Sequence, residues 1–144
     1  MLINEAGINL IKEFEGCKLT AYKCPAGILT IGYGHTGPEV IEELQWTLQQ
    51  ADNALVKDLA KVNDGVFKLI ISKININQFS ALVCFAYNCG LESLKNSTLL
   101  KKVNANPSDP TIKEEFVKWN KAGGKILFGL LRRRQRESEL YFKT

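Results

Sequence analysis

The sequence predicts an α+β fold, mostly helical, with a small antiparallel β-hairpin lobe near the N-terminus. Three observations predict it. A helical pattern stops at Gly16, β-prone pieces occupy residues 18 to 34, and from about residue 47 the apolar positions recur at helical spacing. With 144 residues, 45% of them hydrophobic, the chain can bury one core and is too short for two ordinary independent domains. A single domain over 1–144 is therefore expected. It divides into an N-terminal lobe with the hairpin over about 1–46, a connecting helix over about 47–62 and a helical C-terminal lobe over about 63–144.

Asn4 is placed to cap a first helix from Glu5 to about Phe14, in which Ile8, Ile11 and Phe14 or Glu15 stack at helical spacing. Glu15 then falls in the last turn, and Gly16 ends the helix. Lys18 to Tyr22 and Leu29 to Gly34 read as strands around a Cys24-Pro25-Ala26-Gly27 turn. In the second strand Leu29, Ile31 and Tyr33 alternate with Thr30, Gly32 and Gly34, which turns Thr30 away from the apolar side.

Thr47-Leu48-Gln49-Gln50 reads as a capping box, followed by the stripe Leu48, Ala51, Leu55, Leu59 and Val62 of a strut between the two lobes. Asn77 or Ile76 opens a helix whose Phe79, Leu82, Val83, Phe85 and Ala86 cover most of its circumference, the expected buried centre of the helical lobe. Ser97 is placed to cap a helix carrying Leu99, Leu100 and Val103. Pro110 suits the first turn of another that holds Phe116 and Trp119. The Gly123-Gly124 break precedes a last helix with Leu127, Leu130, Leu131 and Leu140.

The formal charge of +4 allows an anionic partner without demanding nucleic acid, and none is expected. No apolar run approaches the length needed to span a bilayer. The opening Met-Leu-Ile-Asn-Glu-Ala carries an acid where a signal peptide carries Lys or Arg, so the expectation is a chain made in the cytoplasm without stable membrane insertion. Cys17, Cys24, Cys84 and Cys89 fit no usual zinc spacing, and a single histidine rules out a His-rich metal site. Four free thiols, no metal and no cofactor are expected.

The distinctive stretch is Glu-Gly-Cys-Lys-Leu-Thr-Ala-Tyr-Lys-Cys-Pro-Ala-Gly-Ile-Leu-Thr-Ile-Gly-Tyr-Gly-His-Thr, residues 15 to 36. It puts a carboxyl at a helix end, a thiol in a turn and a hydroxyl on a strand, with glycines that let a ligand approach the backbone. A helix-to-hairpin junction of this kind forms one wall of a cleft. The plainer reading is a solvated helix-end acid, with glycines that only turn the hairpin.

The spacing Glu15, Cys24, Thr30 resembles the catalytic pattern of the phage-type lysozymes, glycoside hydrolase family 24, in which the three positions are Glu, Asp or Cys, and Thr. The flanking Ala21-Tyr22 and residues 30–36 are similar too. So are Gln78 through Gly90, Ser97 through Leu100, and Trp119 through Lys125 on to Gly129-Leu130, Arg132-Arg133 and Glu137, so the likeness covers nearly the whole chain. The resemblance implies a lysozyme-like fold and an endolysin acting as a muramidase. Its substrate would be the β-1,4 bond between N-acetylmuramic acid and N-acetylglucosamine, and its effects would be host cell lysis and phage release.

The chemistry suits the residue types. Glycoside cleavage requires a proton for the leaving oxygen and a nucleophile on the other face of an oxocarbenium-like centre. Glu15 is the expected donor, while Thr30 holds a water and Cys24, a departure from the commoner Asp, adds partial thiolate charge. The family is understood to invert the anomeric carbon.

The resemblance also makes Tyr87, Asn88 and Ser97 substrate-binding positions, although at a helix end Tyr87 and Asn88 equally read as packing and a cap. It implies a structural ion pair from His35 to Asp58. A cysteine-peptidase dyad of Cys24 with His35 is the weaker reading, given the short spacing and the missing third group. In Arg132-Arg133-Arg134-Gln135-Arg136 a solvated helix face competes with an arginine that orients Glu15 and with attraction to an anionic surface. Peptidoglycan glycan strands are the implied partner. The enzyme would be a monomer held in the host cytoplasm until a holin-type pore releases it to the wall. The rival readings are a lytic transglycosylase on the same bond and a non-catalytic, basic wall- or membrane-active protein.

Overall fold

The side chain of Asn4 accepts from the Gly7 N–H at 3.0 Å and so starts α1 (Glu5–Glu15), in a computed structural model that describes residues 1–144. At the other end Gly16 donates its N–H to the Lys12 carbonyl at 3.0 Å, leaving Glu15 as the last helical residue. The strands β1 (Lys18–Lys23) and β2 (Leu29–Gly32) follow as an antiparallel pair, with Tyr22 opposite Thr30 and Lys23 opposite Leu29. The register shifts between Lys18 and Tyr22, and there a third segment adds to the ribbon's edge: Ala21 N–H donates to Leu44 O and Trp46 N–H to Leu19 O, both at 2.8 Å.

The capping box forms as read, with Gln50 N–H on Thr47 Oγ1 at 3.2 Å and Thr47 N–H on Gln50 Oε1 at 2.8 Å. It opens α2 (Leu48–Leu69), which runs seven residues past the expected end. The stripe continues to Val66, fully buried, so nothing in the apolar pattern stops the helix at Val62.

Two compact units divide the chain, residues 11–61 and a second made of residues 1–10 with 62–144. The helices α1 and α2 supply residues to both. In the first unit Ile11, Ile31, Tyr33, Val40, Ala51, Leu55 and Leu59 are buried. The sequence reading groups residues 1–46 together, but the first ten belong with the helical residues. Asn4 N–H donates to Ser80 Oγ at 2.9 Å, the Asn4 amide donates to Asn77 Oδ1 at 2.8 Å, and the Cys84 thiol donates to the Gly7 carbonyl at 3.3 Å.

The second unit is built on α3 (Ile76–Cys89), buried continuously from Phe79 to Ala86. Its cap is Asn75, one residue before the expected start, with Gln78 completing a reciprocal box. Two short helices, α4 (Leu91–Lys95) and α5 (Thr98–Ala105), lead to α6 (Ile112–Val117), and Trp119 lies beyond the end of α6 rather than within it. Around Gly123-Gly124 the chain forms a tight hairpin, β3 (Lys121–Ala122) with β4 (Lys125–Ile126), which the helical reading had passed over as a break. Both glycines have positive φ, 58° and 77°, as a two-residue hairpin turn requires.

The last helix, α7 (Phe128–Tyr141), packs on α3 and α6. Phe85 makes edge contacts with Phe116 and Trp119 at centroid distances of 6.1 and 5.4 Å. No helix is long and apolar enough to cross a membrane.

Candidate functional site

Glu15, Tyr22, Cys24, Thr30 and Gly34 all lie in the unit of residues 11–61. Glu15 is half-buried at the end of α1, and its carboxyl rests against the backbone of Gly34. A methyl group at Gly34 would stand 2.8 Å from Glu15 Oε1. Gly34 also has φ of 82°, a conformation that strains any L side chain, and an added one would push the Glu15 carboxylate aside. That conformation arises where Ile31 and His35 exchange backbone hydrogen bonds at 2.9 Å each, folding the end of β2 back towards the helix end.

Cys24 opens the turn that the sequence places there. Its N–H donates to Ile28 O at 3.0 Å and its carbonyl accepts from Gly27 N–H at 2.8 Å. Hydrogen bonds from the Ile28 and Ala26 backbone lower the thiol's pKa against a smaller opposing effect of burial, and the Thr30 hydroxyl and Gly27 backbone add to the lowering. Tyr22 is shifted the other way, by burial first and then by the negative charges of Glu15 and Cys24, which places it in the field of both groups. In the sequence Tyr22 stands out only as a flanking residue; it comes opposite Thr30 because the connection runs over residues 24–28, one longer than the turn expected there.

Thr30 lies on β2. It stands on the opposite pleat from Leu29 and Ile31, but it is 4% exposed, because that face is covered as well. Its hydroxyl donates to the Ile28 carbonyl at 2.9 Å.

His35 is bound on both ring nitrogens. Nδ1 lies 2.7 Å from Asp58 Oδ2 on α2, the pair expected from the resemblance, and Nε2 contacts the Glu39 carboxylate, a partner the sequence did not suggest. Burial by itself pushes the His35 pKa down, but the hydrogen bonds and charges of Glu39 and Asp58 outweigh it and raise the pKa above its ordinary value. A histidine held this way stabilises the fold below its unfolded pKa, near 6.5, and that contribution is lost as the pH rises through the higher folded value. Asp58→Asn is therefore expected to lower the His35 pKa in an NMR titration and to cost more stability at pH 6 than at pH 9. An unchanged titration would contradict the ion pair.

All four cysteines are free, and no group of three or more His, Cys, Asp or Glu side chains is placed to hold a metal ion.

Tyr87, Asn88 and Ser97 fall in the other unit. Ser97 lies at the start of α5. It is 4% exposed, its hydroxyl donates to Leu94 O at 2.6 Å and accepts from Leu100 N–H at 3.0 Å, and so it is committed to the cap of α5. Asn88 is exposed at the C-terminus of α3, where its Oδ1 accepts from Arg134 at 2.8 Å, and Tyr87 beside it is half-buried.

The arginine run is also not the solvated face it resembles. Arg133 and Arg134 are buried, the latter at 0% exposure, because they share the inward side of α7 with Glu137, Leu140 and Tyr141. Arg134 Nε and Nη2 reach the two Glu137 oxygens at 2.7 and 2.9 Å, and Arg133 Nε stands 3.7 Å away. Nη1 of Arg134 meets Cys89 Sγ, which sets the guanidinium beside the C-terminal end of α3.

Comparison with known proteins places these features. The chain is 46% identical over 143 residues to an endolysin of Bacillus phage B103, covering 98% of this chain and 54% of that protein, so it spans about half the relative's length. It is 40% identical to an endolysin of Acyrthosiphon pisum secondary endosymbiont phage 1, covering 98% of each. Its structure matches the muramidase domain of SpmX from Asticaccaulis excentricus with a TM-score of 0.89 and 34% identity, over 99% of this chain and 98% of that one. The family model described as phage lysozyme matches residues 12–137, from the helix that carries Glu15 to the buried carboxylate of α7, and by that match this chain belongs to the phage lysozyme family.

Proposed function

We propose that this chain is a muramidase of the endolysin kind, hydrolysing the bond between N-acetylmuramic acid and N-acetylglucosamine in peptidoglycan and so lysing the bacterial host. The observation that carries the reading is the grouping of Glu15, Cys24 and Thr30 in one unit of a chain that belongs to this family. The carboxyl of Glu15 gives its proton to the bridging oxygen as the bond breaks. Water attacks the anomeric carbon from the opposite face, inverting it.

The Thr30 hydroxyl has one proton, within reach of Ile28 O and of the Cys24 thiolate, and its lone pairs accept from that water. Cys24, whose pKa is lowered by the surrounding turn N–H groups, takes the water's proton as a thiolate. Tyr87 and Asn88 are retained as candidate contacts for the glycan. The enzyme acts as a monomer on the wall and depends on a holin-type pore to reach it.

Product analysis tests the proposal. Digested wall, labelled with borohydride and read by mass spectrometry, is expected to show reducing-end muramic acid. An anhydro sugar would make the enzyme a transglycosylase, and peptides released from intact glycan would overturn the reading.

A further inference from the structure

Residues 11–61 carry a concavity of about 260 Å³ between the segment 35–46 and the first turns of α2. Trp46 lines it and is held firmly. Its backbone N–H donates to Leu19 O at 2.8 Å, its ring packs on Gly32, where a methyl group would be 3.1 Å away, and the His35 ring sits 5.4 Å from it between centroids. A fixed aromatic ring is a preorganised platform for a ligand with an apolar face.

Along the facing side of α2 stand Gln50, Asn53 and Lys57, one helical turn apart. Gln50 Oε1 is occupied by Thr47 N–H at 2.8 Å and Asn53 Oδ1 by Gln49 at 2.9 Å. Each amide thus has its acceptor engaged and its NH2 group left for a ligand, and Lys57 adds a third donor. The groove therefore asks for an acceptor-rich ligand. The charges nearby are of both signs, with Lys57, Lys61 and His35 beside Glu39 and Asp58, which favours a neutral ligand over a strongly charged one.

We infer that this groove is a second saccharide-holding site that takes an uncharged acetamido sugar, such as the N-acetylglucosamine unit of a glycan strand. The ring stacks on Trp46, and the acetamido carbonyl and hydroxyl oxygens accept from Gln50, Asn53 and Lys57. The sugar class rests on the wall-glycan reading given under the proposed function. Holding a strand here raises the local concentration of glycan at the enzyme and lengthens its stay on an insoluble wall without touching the chemical step.

The test uses the Glu15→Gln protein, so that the probe, chitotriose, is not consumed. In assigned 15N spectra the Trp46 indole N–H and the side-chain amides of Gln50 and Asn53 are expected to shift saturably. Asn53 and Lys57 are exposed, so Asn53→Leu and Lys57→Met leave the fold intact. Each is expected to weaken the affinity read from those signals by about fivefold, the loss of one hydrogen bond. Signals that stay unmoved while those near Glu15 and Thr30 shift, or an affinity indifferent to both substitutions, would overturn the site. Either result leaves the muramidase reading standing, since that is judged separately on the products released by the unsubstituted enzyme.

Discussion

Glu15→Gln is expected to reduce clearing of a purified peptidoglycan suspension by about 10²- to 10⁴-fold, the usual worth of a positioned general acid. Glutamine keeps the size of the side chain and its fit against Gly34 but has no acidic proton for the leaving oxygen, so melting temperature and binding to insoluble wall should stay close to those of the parent. That combination separates an acid from a packing residue. A Glu15→Gln protein that still cleared the suspension at parental rate would make this chain a binder or a membrane-active protein, and no reading of Cys24 or Thr30 would then matter. Cys24→Ala is expected to lose less. Its deficit relative to the parent should widen as pH rises, because the thiolate population of Cys24 grows with pH and alanine has none to offer.

The second large effect is on stability. Glu137→Ala removes the buried carboxylate that Arg133 and Arg134 share within α7. Breaking a buried pair from one side costs about 3–5 kcal/mol. In a chain of this size that corresponds to a fall in melting temperature of roughly 10 °C or more. Burial outweighs the pull of the two guanidiniums and raises the Glu137 pKa to about 7. Glu137→Gln, which keeps an acceptor for Arg134, should fall between the parent and alanine. A melting temperature within a few degrees of the parent for Glu137→Ala would show that the two arginines find other partners.

What could be read in the sequence was local. The Asn4 cap, the Gly16 stop, the Thr47 box and the Cys24 turn are each decided within four or five residues, and each formed. The order of Glu15, Cys24 and Thr30 was legible for the same reason. The features that were missed depend on what packs against what. An arginine run looks solvated until α7 is laid on α3, when residues 133, 134 and 137 turn inward together. Thr30 looks exposed by alternation until both faces of its strand are covered. The contact of Glu15 with Gly34 joins a helix end to a turn nineteen residues later, and no periodicity reports that. The β3–β4 hairpin is a different case, since two-residue strands are too short to alternate, although the paired glycines were a turn signal in plain view.

That residues 1–10 belong with residues 62–144 has a consequence for the order in which the protein matures on the ribosome. The segment 11–61 is contiguous, so all of it has been synthesised before the other unit's α3 begins, and its ribbon can settle early. The partner unit must keep its opening ten residues waiting, across an intervening loop of some fifty, until α3 arrives to receive Asn4 and Gly7. Closing such a loop is entropically modest but slow relative to local structure, so truncation from the C-terminal side should strand the N-terminal helix long before it disturbs the hairpin.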